Sequence, residues 1–182
     1  MNIFYVHPDP AICAQQHVDK HCVKMILEYA QLLSSAHRFL DGSERTIISQ
    51  SGRKKKVWQL NDDRDSVIYA ATHINHPSAK WARHSLANYQ YLFKLWIELM
   101  REYNYRYGKI HASMRLAKYL KNAPTNISTT EGFSAPWRAM PDEYKFERTE
   151  PDYTVKSYRA YILGAKSQML KWKNRQTPDW AH

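Results

Sequence analysis

The sequence predicts a mainly α-helical, single-domain protein. Two long stretches, around residues 17–37 and 81–103, carry apolar side chains at helical spacing, whereas only short segments alternate as strands do. The chain has 182 residues, of which 43% are hydrophobic, enough for one domain with a substantial core. We find no internal repeat or second domain. We therefore expect a compact helical bundle over residues 1–182, with an extended N-terminal arm, a small basic hairpin or loop, and a long irregular segment before the last helix.

The N-terminal segment predicts a buried arm followed by a helix. The apolar run Asn2–Val6 indicates a buried strand or an extended arm. Asp9 is a suitable N-cap, and Pro10 is a suitable first helical residue. We expect the first helix to run from about Ala11 to Leu40, because an Asp-Gly pair follows it.

A narrow polar line distinguishes this first helix. At about 100° per residue, six polar side chains fall within about 80° of its circumference, and most of the remainder is apolar. These six are His17, His21, Lys24, Glu28, Gln31 and Ser35. Such a seam is either a buried polar network or the wall of a cleft. The basic composition and the N-terminal arm favour a cleft, with Gln31 and Ser35 in structural roles.

Residues 43–60 predict a small hairpin or loop with a basic second arm. β-Branched residues lie on both sides of Ser51-Gly52, which is a turn signal. Arg53, Lys54, Lys55 and Lys56 form the densest positive run in the chain. We interpret them as a clamp on phosphates, the alternative being a solvated surface turn.

A short helix is predicted over Asp62–Thr72, and Asn75-His76-Pro77 predicts the start of a second long helix. That helix should run from about Ser78 to Tyr107 and end at Gly108. Its large apolar side chains recur at helical spacing and are assigned to the core: Trp81, Tyr89, Leu92, Phe93, Trp96, Met100 and Tyr103. Cations and aromatic residues mix at and beyond its end, a composition that suits phosphate and base contacts: Arg101, Tyr105, Arg106, Lys109 and His111.

The last third of the chain is less regular. His111–Lys121 predicts a short basic helix, and residues 122–152 contain four prolines and predict an irregular wrap over the surface. The last helix is expected within residues 153–175, and residues 176–182 form a tail.

Charge and composition indicate a polyanionic partner. The formal net charge is +10 and the isoelectric point is about 9.6, so nucleic acid, and DNA first, is the expected partner. No segment combines a basic face with a plain apolar face, so we expect no membrane partner. Cys13 and Cys22 lie too far apart on one predicted helix to form a disulfide, which fits a cytoplasmic protein. Glycine-rich phosphate motifs are missing, which disfavours nucleotide triphosphate chemistry, and we expect no cofactor.

Two pairs on the first helix could carry chemistry. Lys24 and Glu28, at i and i+4, are either an ordinary ion pair or an amine and a carboxylate placed for attack on an electrophilic sugar carbon. His17 and His21 have the same spacing and could present two imidazoles to a metal, with His37 or His76 as a further ligand. Lys24 lies between the histidines and Glu28, which disfavours a cation there.

Three short segments resemble motifs of the pyrimidine-dimer DNA glycosylases of endonuclease V type, a family of small bacterial and phage proteins. Asp19–Leu33 resembles their first-helix motif, in which an aspartate and a basic residue precede a lysine and a glutamate. Asn75-His76-Pro77, followed by Trp81, resembles their Asn-His-Pro motif. Glu102–Gly108 resembles the end of their next long helix. The resemblance covers roughly residues 1–111.

The resemblance implies an all-helical domain and base-excision activity in the cytoplasm of a bacterial or phage-infected cell. In the family the nucleophile is the N-terminal α-amine, exposed by removal of Met, beside a first-helix glutamate. Here Asn2 is too large for the usual Met removal, so the free amine belongs to Met1. By position, Asp19 or Lys24 could also occupy the place of that glutamate.

We therefore expect a DNA N-glycosylase with abasic-site lyase activity, acting on a nucleotide extruded from duplex DNA. Glu28 or Asp19 would stabilise positive charge at C1′, Lys24 or Met1 would attack, and His17 or His21 would shuttle protons near neutral pH. The alternatives are a non-catalytic nucleic-acid-binding protein, a metal-dependent enzyme using His17 and His21, and an enzyme acting on modified nucleotides.

Overall fold

The computed structural model describes all residues from Met1 to His182 and has a mainly α fold, 51% helical, with seven helices and one two-stranded sheet. The helices are α1 (Pro10–Gln15), α2 (Asp19–Asp41), α3 (Arg64–Val67), α4 (Pro77–Ala82), α5 (Leu86–Tyr107), α6 (Ala117–Leu120) and α7 (Tyr153–Ala165). Strands β1 (Ser43–Ile48) and β2 (Lys54–Gln59) form an antiparallel hairpin between α2 and α3. Short 3-10 turns occupy Ala112–Leu116, Asp142–Tyr144, Ser167–Met169 and Asp179–Ala181.

Helices α2 and α5 pack against each other at the centre of the core. Trp96 of α5 is fully buried and donates from Nε1 to the Ile26 carbonyl oxygen of α2 at 2.9 Å. Trp81 and Tyr89 are also fully buried, so the assignment of this aromatic stripe to the core is confirmed. Gly108 ends α5 in the left-handed conformation, at φ 63°, as the sequence predicts.

Both long predicted helices are interrupted. The first breaks between α1 and α2, where Val18 is extended. Carbonyl groups at this break accept tertiary hydrogen bonds: Arg106 donates to Gln15 and His17, and the Trp172 indole donates to Gln16. The prediction of one helix over 11–40 is therefore wrong, and His17 does not lie on the α2 seam.

The second interruption separates α4 from α5. Ser85 is extended and caps α5, its Oγ accepting from the Asn88 N–H at 3.1 Å. Such local capping outweighs continued helical pairing. The predicted helix over Asp62–Thr72 shrinks to the four residues of α3.

A buried charge network joins three distant parts of the chain. The Arg106 side chain is fully buried and contacts Glu102 at 2.7 Å and Asp19 at 2.9 Å. Arg175 contacts the other oxygen of Glu102 at 2.8 Å. Burial raises the pKa of Glu102, but hydrogen bonds from Arg175 and Arg106 outweigh it and hold that pKa below its usual value. The network therefore keeps Glu102 ionised inside the protein.

The C-terminal segment folds back onto the α1–α2 junction. Helix α7 ends at Ala165 instead of near Lys173, and the Lys173 N–H donates to Asp19 Oδ1 at 2.9 Å. Trp180 donates from Nε1 to the Gln16 side chain at 2.9 Å. These contacts explain why the apolar pattern continues past α7 without continuing its helix. None of the helices has the length and apolar character needed to cross a membrane.

Arg106→Met tests the importance of this network for stability. Removing one partner leaves the Glu102 and Asp19 carboxylates inside the protein with fewer counter-charges, so the free energy of unfolding should fall by about 3–5 kcal/mol. Urea denaturation measures this change. Arg101→Met is the control, because Arg101 is exposed and pairs only with Glu98 on the same helix. A similar loss in both variants would contradict the buried network as the cause.

Candidate active site

A cleft of about 260 Å³ lies between the N-terminal arm, α2 and the end of α7. Its lining combines cations, one carboxylate and apolar side chains: Met1, Asn2, Phe4, Lys20, His21, Lys24, Met25, Glu28, Tyr161, Lys166 and Met169. The cleft therefore brings together three of the predicted catalytic residues of α2 and the N-terminal amine.

The arm holds Met1 in this cleft without pairing as a strand. Ile3 and Val6 are fully buried. The Phe4 N–H donates to the Tyr29 hydroxyl at 3.1 Å, and the Cys13 thiol lies 3.2 Å from the Phe4 carbonyl oxygen. Of the two predicted forms, the structure shows the extended arm. Because its middle is anchored in the core, its first residue is held against α2.

Glu28 contacts two amines. Its Oε2 lies 3.9 Å from the Met1 α-amine, and its Oε1 lies 3.1 Å from Lys24 Nζ. The side chains of Met1 and Glu28 are 6% and 14% exposed, whereas that of Lys24 is 71% exposed. The site therefore joins one largely buried carboxylate to two amines, the α-amine of Met1 and the solvent-exposed ε-amine of Lys24.

Positive charge dominates the cleft. Lys20, Lys24, Lys166 and the Met1 amine face the single carboxylate of Glu28, which leaves three formal positive charges in excess. A partly enclosed cleft with this imbalance favours an anionic ligand. A phosphate group has suitable chemistry.

His21 lines the cleft as a neutral aromatic ring. It stacks on Phe4, with ring centroids 3.8 Å apart and an interplanar angle of 18°. Burial lowers the pKa of His21 to about 3, with further lowering from His17, Lys166 and Lys24. Our expectation of a proton shuttle near neutral pH is therefore not met by His21, since its ring does not titrate there.

His17 and Asp19 lie outside the cleft and have structural roles. His17 is 1% exposed, and its Nδ1 and Nε2 bond to the Cys13 carbonyl oxygen at 2.7 Å and the Tyr29 hydroxyl at 2.9 Å. Burial lowers its pKa to about 4, so it is neutral near pH 7. Asp19 is engaged by Arg106 and the Lys173 N–H. The structure therefore does not bring either residue into the cleft with Lys24 and Glu28.

The alternative of a metal site formed by His17 and His21 is also disfavoured, because two of its proposed ligands are bonded within the protein. Both nitrogens of His17 are occupied within the protein, and its ring centroid is 6.5 Å from that of His21. His37, offered as a further ligand, bonds to Tyr89 and Arg64. The geometry therefore gives no support to the His17/His21 pair as a metal site.

The Asn75-His76-Pro77 motif begins α4. His76 is the N-cap, its Nδ1 accepting from the Ser78 N–H at 3.2 Å, and Pro77 is the first helical residue. Trp81, further along α4, donates to the Ser134 carbonyl oxygen at 3.0 Å, whereas Asn75 is exposed. These contacts agree with a structural role for the motif.

His76 also lies near the cleft, whereas the sequence predicts for it only a structural role or a place as a metal ligand. Burial lowers the pKa of His76, the Met1 ammonium group lowers it further, and Glu28 opposes the change. His76 therefore interacts electrostatically with both Met1 and Glu28. Neither the proline-linked motif nor the candidate metal site carries information about the distance from His76 to Met1.

The predicted nucleic-acid contacts divide into exposed and buried residues. Arg53, Lys54, Lys55 and Lys56 are all exposed on the hairpin, as are Arg101 and Lys109 at the end of α5. Tyr105 is 54% exposed, with the Arg175 guanidinium 4.1 Å from its ring centroid.

One of these contacts needs correction. Arg106 cannot contact a phosphate, because its side chain is fully buried in the charge network. His111 caps the following 3-10 turn, its Nδ1 accepting from the Ser113 N–H at 3.1 Å, so that nitrogen is occupied inside the protein.

A groove of about 610 Å³ connects the hairpin with α2. Lys55, Lys56 and Trp58 line one side, and Gln31 and residues 69–74 line the other. Gln31 is three residues beyond Glu28, within one helical turn. The hairpin cations and the Glu28 cleft therefore lie along one side of α2.

No family model, curated protein or solved structure matches this chain.

The buried histidines predict a pH dependence of stability. The folded pKa values of His17 and His37 are about 4 and that of His21 is about 3, in each case mainly through burial. A histidine in the unfolded chain has a pKa near 6.5 and is protonated as the pH falls below that value, whereas the buried ring stays neutral. The unfolded state then binds more protons than the folded state, so the free energy of unfolding falls as the pH falls. Between about pH 6.5 and 4, the free energy of unfolding should fall by up to about 1.4 kcal/mol per pH unit for each ring.

Urea denaturation at a series of pH values measures this slope. His21→Phe keeps an aromatic ring against Phe4 but removes one titrating group, so the slope between pH 6.5 and 4 should become shallower. An unchanged slope in this variant would contradict a neutral, buried His21.

Proposed function

We propose that this protein is a DNA-binding base-excision enzyme, a DNA N-glycosylase with abasic-site lyase activity on damaged or modified bases. The observation that carries the proposal is the Met1 α-amine held 3.9 Å from the Glu28 carboxylate in a cleft with an excess of cations. An amine beside a carboxylate can attack a sugar carbon, and the carboxylate can accept the proton that the attacking nitrogen loses.

In the proposed reaction, an extruded nucleotide enters the cleft and the neutral amine attacks C1′. The C1′–N bond breaks, its electron pair leaves with the base, and the base takes up a proton. Glu28 stabilises positive charge at C1′ and receives a proton from the attacking nitrogen. Glu28 then returns this proton to O4′ as the C1′–O4′ bond breaks with its electron pair on oxygen, and the nitrogen lone pair forms a protonated Schiff base with C1′, which water hydrolyses or which precedes strand cleavage.

The cationic surroundings suit a polyanionic substrate. Lys20, Lys24 and Lys166 border the cleft, and the exposed cations of Arg53–Lys56 follow along the same side of α2. Phosphate contacts of this kind supply affinity and hold the strand in register. The likeness of Asp19–Leu33 and the Asn75-His76-Pro77 motif to the pyrimidine-dimer glycosylases supports the same proposal, because it implies an amine nucleophile beside a first-helix glutamate.

The non-catalytic alternative has its own support in the net charge of +10 and the exposed hairpin. It predicts DNA binding without base release, strand cleavage or a covalent intermediate. An enzyme that acts on free nucleotides would instead bind with a weak dependence on salt, because few phosphates are contacted.

Glu28→Gln tests the role of the carboxylate. The substitution keeps the shape of the side chain but removes its negative charge, so turnover on abasic DNA should fall by about 100-fold or more, with little loss of DNA affinity. Single-turnover strand cleavage and filter binding measure the two quantities. Glu98→Gln is the matched control, since Glu98 also pairs with a cation on its own helix but lies outside the cleft. Equal effects of the two substitutions would argue against Glu28.

Borohydride trapping identifies the nucleophile. Reduction should join the protein covalently to DNA that carries an abasic site, and peptide mapping should place the link at Met1. Lys24→Ala should still trap, whereas a Gly-Ser extension that moves the free amine away from Glu28 should not. A link at Lys24 would transfer the role to that residue. Absence of both trapping and base release, on abasic and lesion-containing DNA, would refute the proposed enzyme.

A further inference from the structure

The β1–β2 hairpin exposes apolar side chains that the rest of the chain does not cover. All six residues of β1 and the first three of β2 are exposed, and only Val57 and Trp58 pack toward the body. Ile48 is 73% exposed and Ile47 is 45% exposed. A two-stranded ribbon is only marginally stable alone. Because no other part of the chain covers the two isoleucines at its outer end, they become buried only against a partner.

Strand register places one lysine beside each isoleucine. Ile48 is directly opposite Lys54, and Ile47 is directly opposite Lys55. Directly opposite residues of an antiparallel pair share a face, and successive residues alternate between faces. Each face of the hairpin end therefore presents one isoleucine next to one ammonium group.

The turn that closes the hairpin is well defined by its own hydrogen bonds. The Ser49 N–H donates to the Arg53 carbonyl oxygen and the Gly52 N–H donates to the Ser49 carbonyl oxygen, both at 2.9 Å. The Arg53 N–H also donates to Ser49 Oγ at 3.1 Å. Gly52 takes a left-handed conformation, at φ 75°, that glycine adopts without strain. The isoleucines are therefore presented by a tip of defined shape.

The charge of the hairpin tip indicates which kind of partner it binds. Within Arg53–Lys56, only Lys56 forms an ion pair, with Glu44 at 2.7 Å, which leaves three cations around the isoleucines. Apolar side chains flanked by cations suit insertion between base steps, with the cations on adjacent phosphates. The groove from Lys55 to Gln31 then leads toward the Glu28 cleft.

We propose that the hairpin tip is a wedge that enters a groove of duplex DNA and unstacks a base. Ile48 enters the space between base steps, Ile47 contacts the groove from the opposite face of the hairpin, and Arg53, Lys54 and Lys55 bind the flanking phosphates. The inference rests on the proposed function, because the displaced nucleotide is the one that the Glu28 cleft would receive. It adds the element that opens the duplex, which is separate from the residues that carry the chemistry.

The test uses the full-length protein and a duplex with 2-aminopurine beside a tetrahydrofuran abasic analogue, which cannot form a Schiff base. Saturating wild-type protein should raise the 2-aminopurine fluorescence through unstacking. Ile48→Ser should lose this increase while its affinity stays within about threefold, because phosphate contacts dominate affinity. Ile110→Ser is the matched control, since Ile110 is a 79% exposed isoleucine outside the hairpin. It should behave as wild type.

Lys54→Ala separates the role of charge from that of the wedge. Its fluorescence increase at saturation should remain, whereas the slope of log affinity against log salt should fall by about one. Circular dichroism and thermal unfolding of each variant confirm that the fold is unchanged.

Several outcomes would overturn the wedge: an undiminished fluorescence increase in Ile48→Ser, no increase in wild-type protein that binds the duplex, or no duplex binding at all. An altered sedimentation coefficient in Ile48→Ser with unchanged fluorescence would also overturn it, by assigning the surface to contact with another protein chain. Borohydride trapping on a single-stranded abasic oligonucleotide tests the cleft without the duplex. Fluorescence loss in Ile48→Ser without trapping supports the wedge and refutes the chemistry, and the reverse result does the opposite.

Discussion

The buried guanidinium of Arg106 is the constraint on which the rest of the structure depends. Inside the protein its charge must be balanced, and Glu102 and Asp19 do so at hydrogen-bonding distance. Its remaining donors reach the carbonyl oxygens of Gln15 and His17, where α1 and α2 separate. The Arg106 side chain therefore balances the charge of two carboxylates and also bonds to two backbone carbonyl groups that a continuous helix would have paired. The bend between α1 and α2 follows from this arrangement.

The bend determines where the N-terminal arm lies. The Cys13 thiol of α1 contacts the Phe4 carbonyl oxygen, and the Tyr29 hydroxyl of α2 accepts from the Phe4 N–H, so the arm is bonded to both helices. The Tyr29 hydroxyl contacts both the Phe4 N–H and the His17 ring, so the arm and the helix break share one buried hydrogen-bond chain. Burial of four arm residues, Ile3 to Val6, then holds Met1 against Glu28. The stability of the interior and the geometry of the cleft are therefore coupled.

The sequence supported the fold class, the hairpin, the arm, the end of α5 and the pairing of Lys24 with Glu28, because each depends on neighbours within a few residues. Prediction from the sequence fails where a residue distant in the chain determines the position of a side chain. Arg106 follows Tyr105 in a basic, aromatic run that is typical of a surface, yet its partner Asp19 is 87 residues away. His17 kept helical spacing with His21, but donors from α5 and the C-terminal segment end the helix between them. Helical periodicity describes one element and contains no information about such partners.

The two amines at Glu28 differ in a way that bears on catalysis. Lys24 reaches the carboxylate from the solvent side, with 71% of its side chain exposed and four rotatable bonds to order. The side chain of Met1 is 6% exposed, and the buried residues that follow it restrict its amine before any substrate binds. A positioned nucleophile avoids the entropy cost of ordering during the reaction. Under the proposed function, this difference in ordering favours Met1 over Lys24 as the attacking amine and leaves Lys24 to hold Glu28 and a neighbouring phosphate.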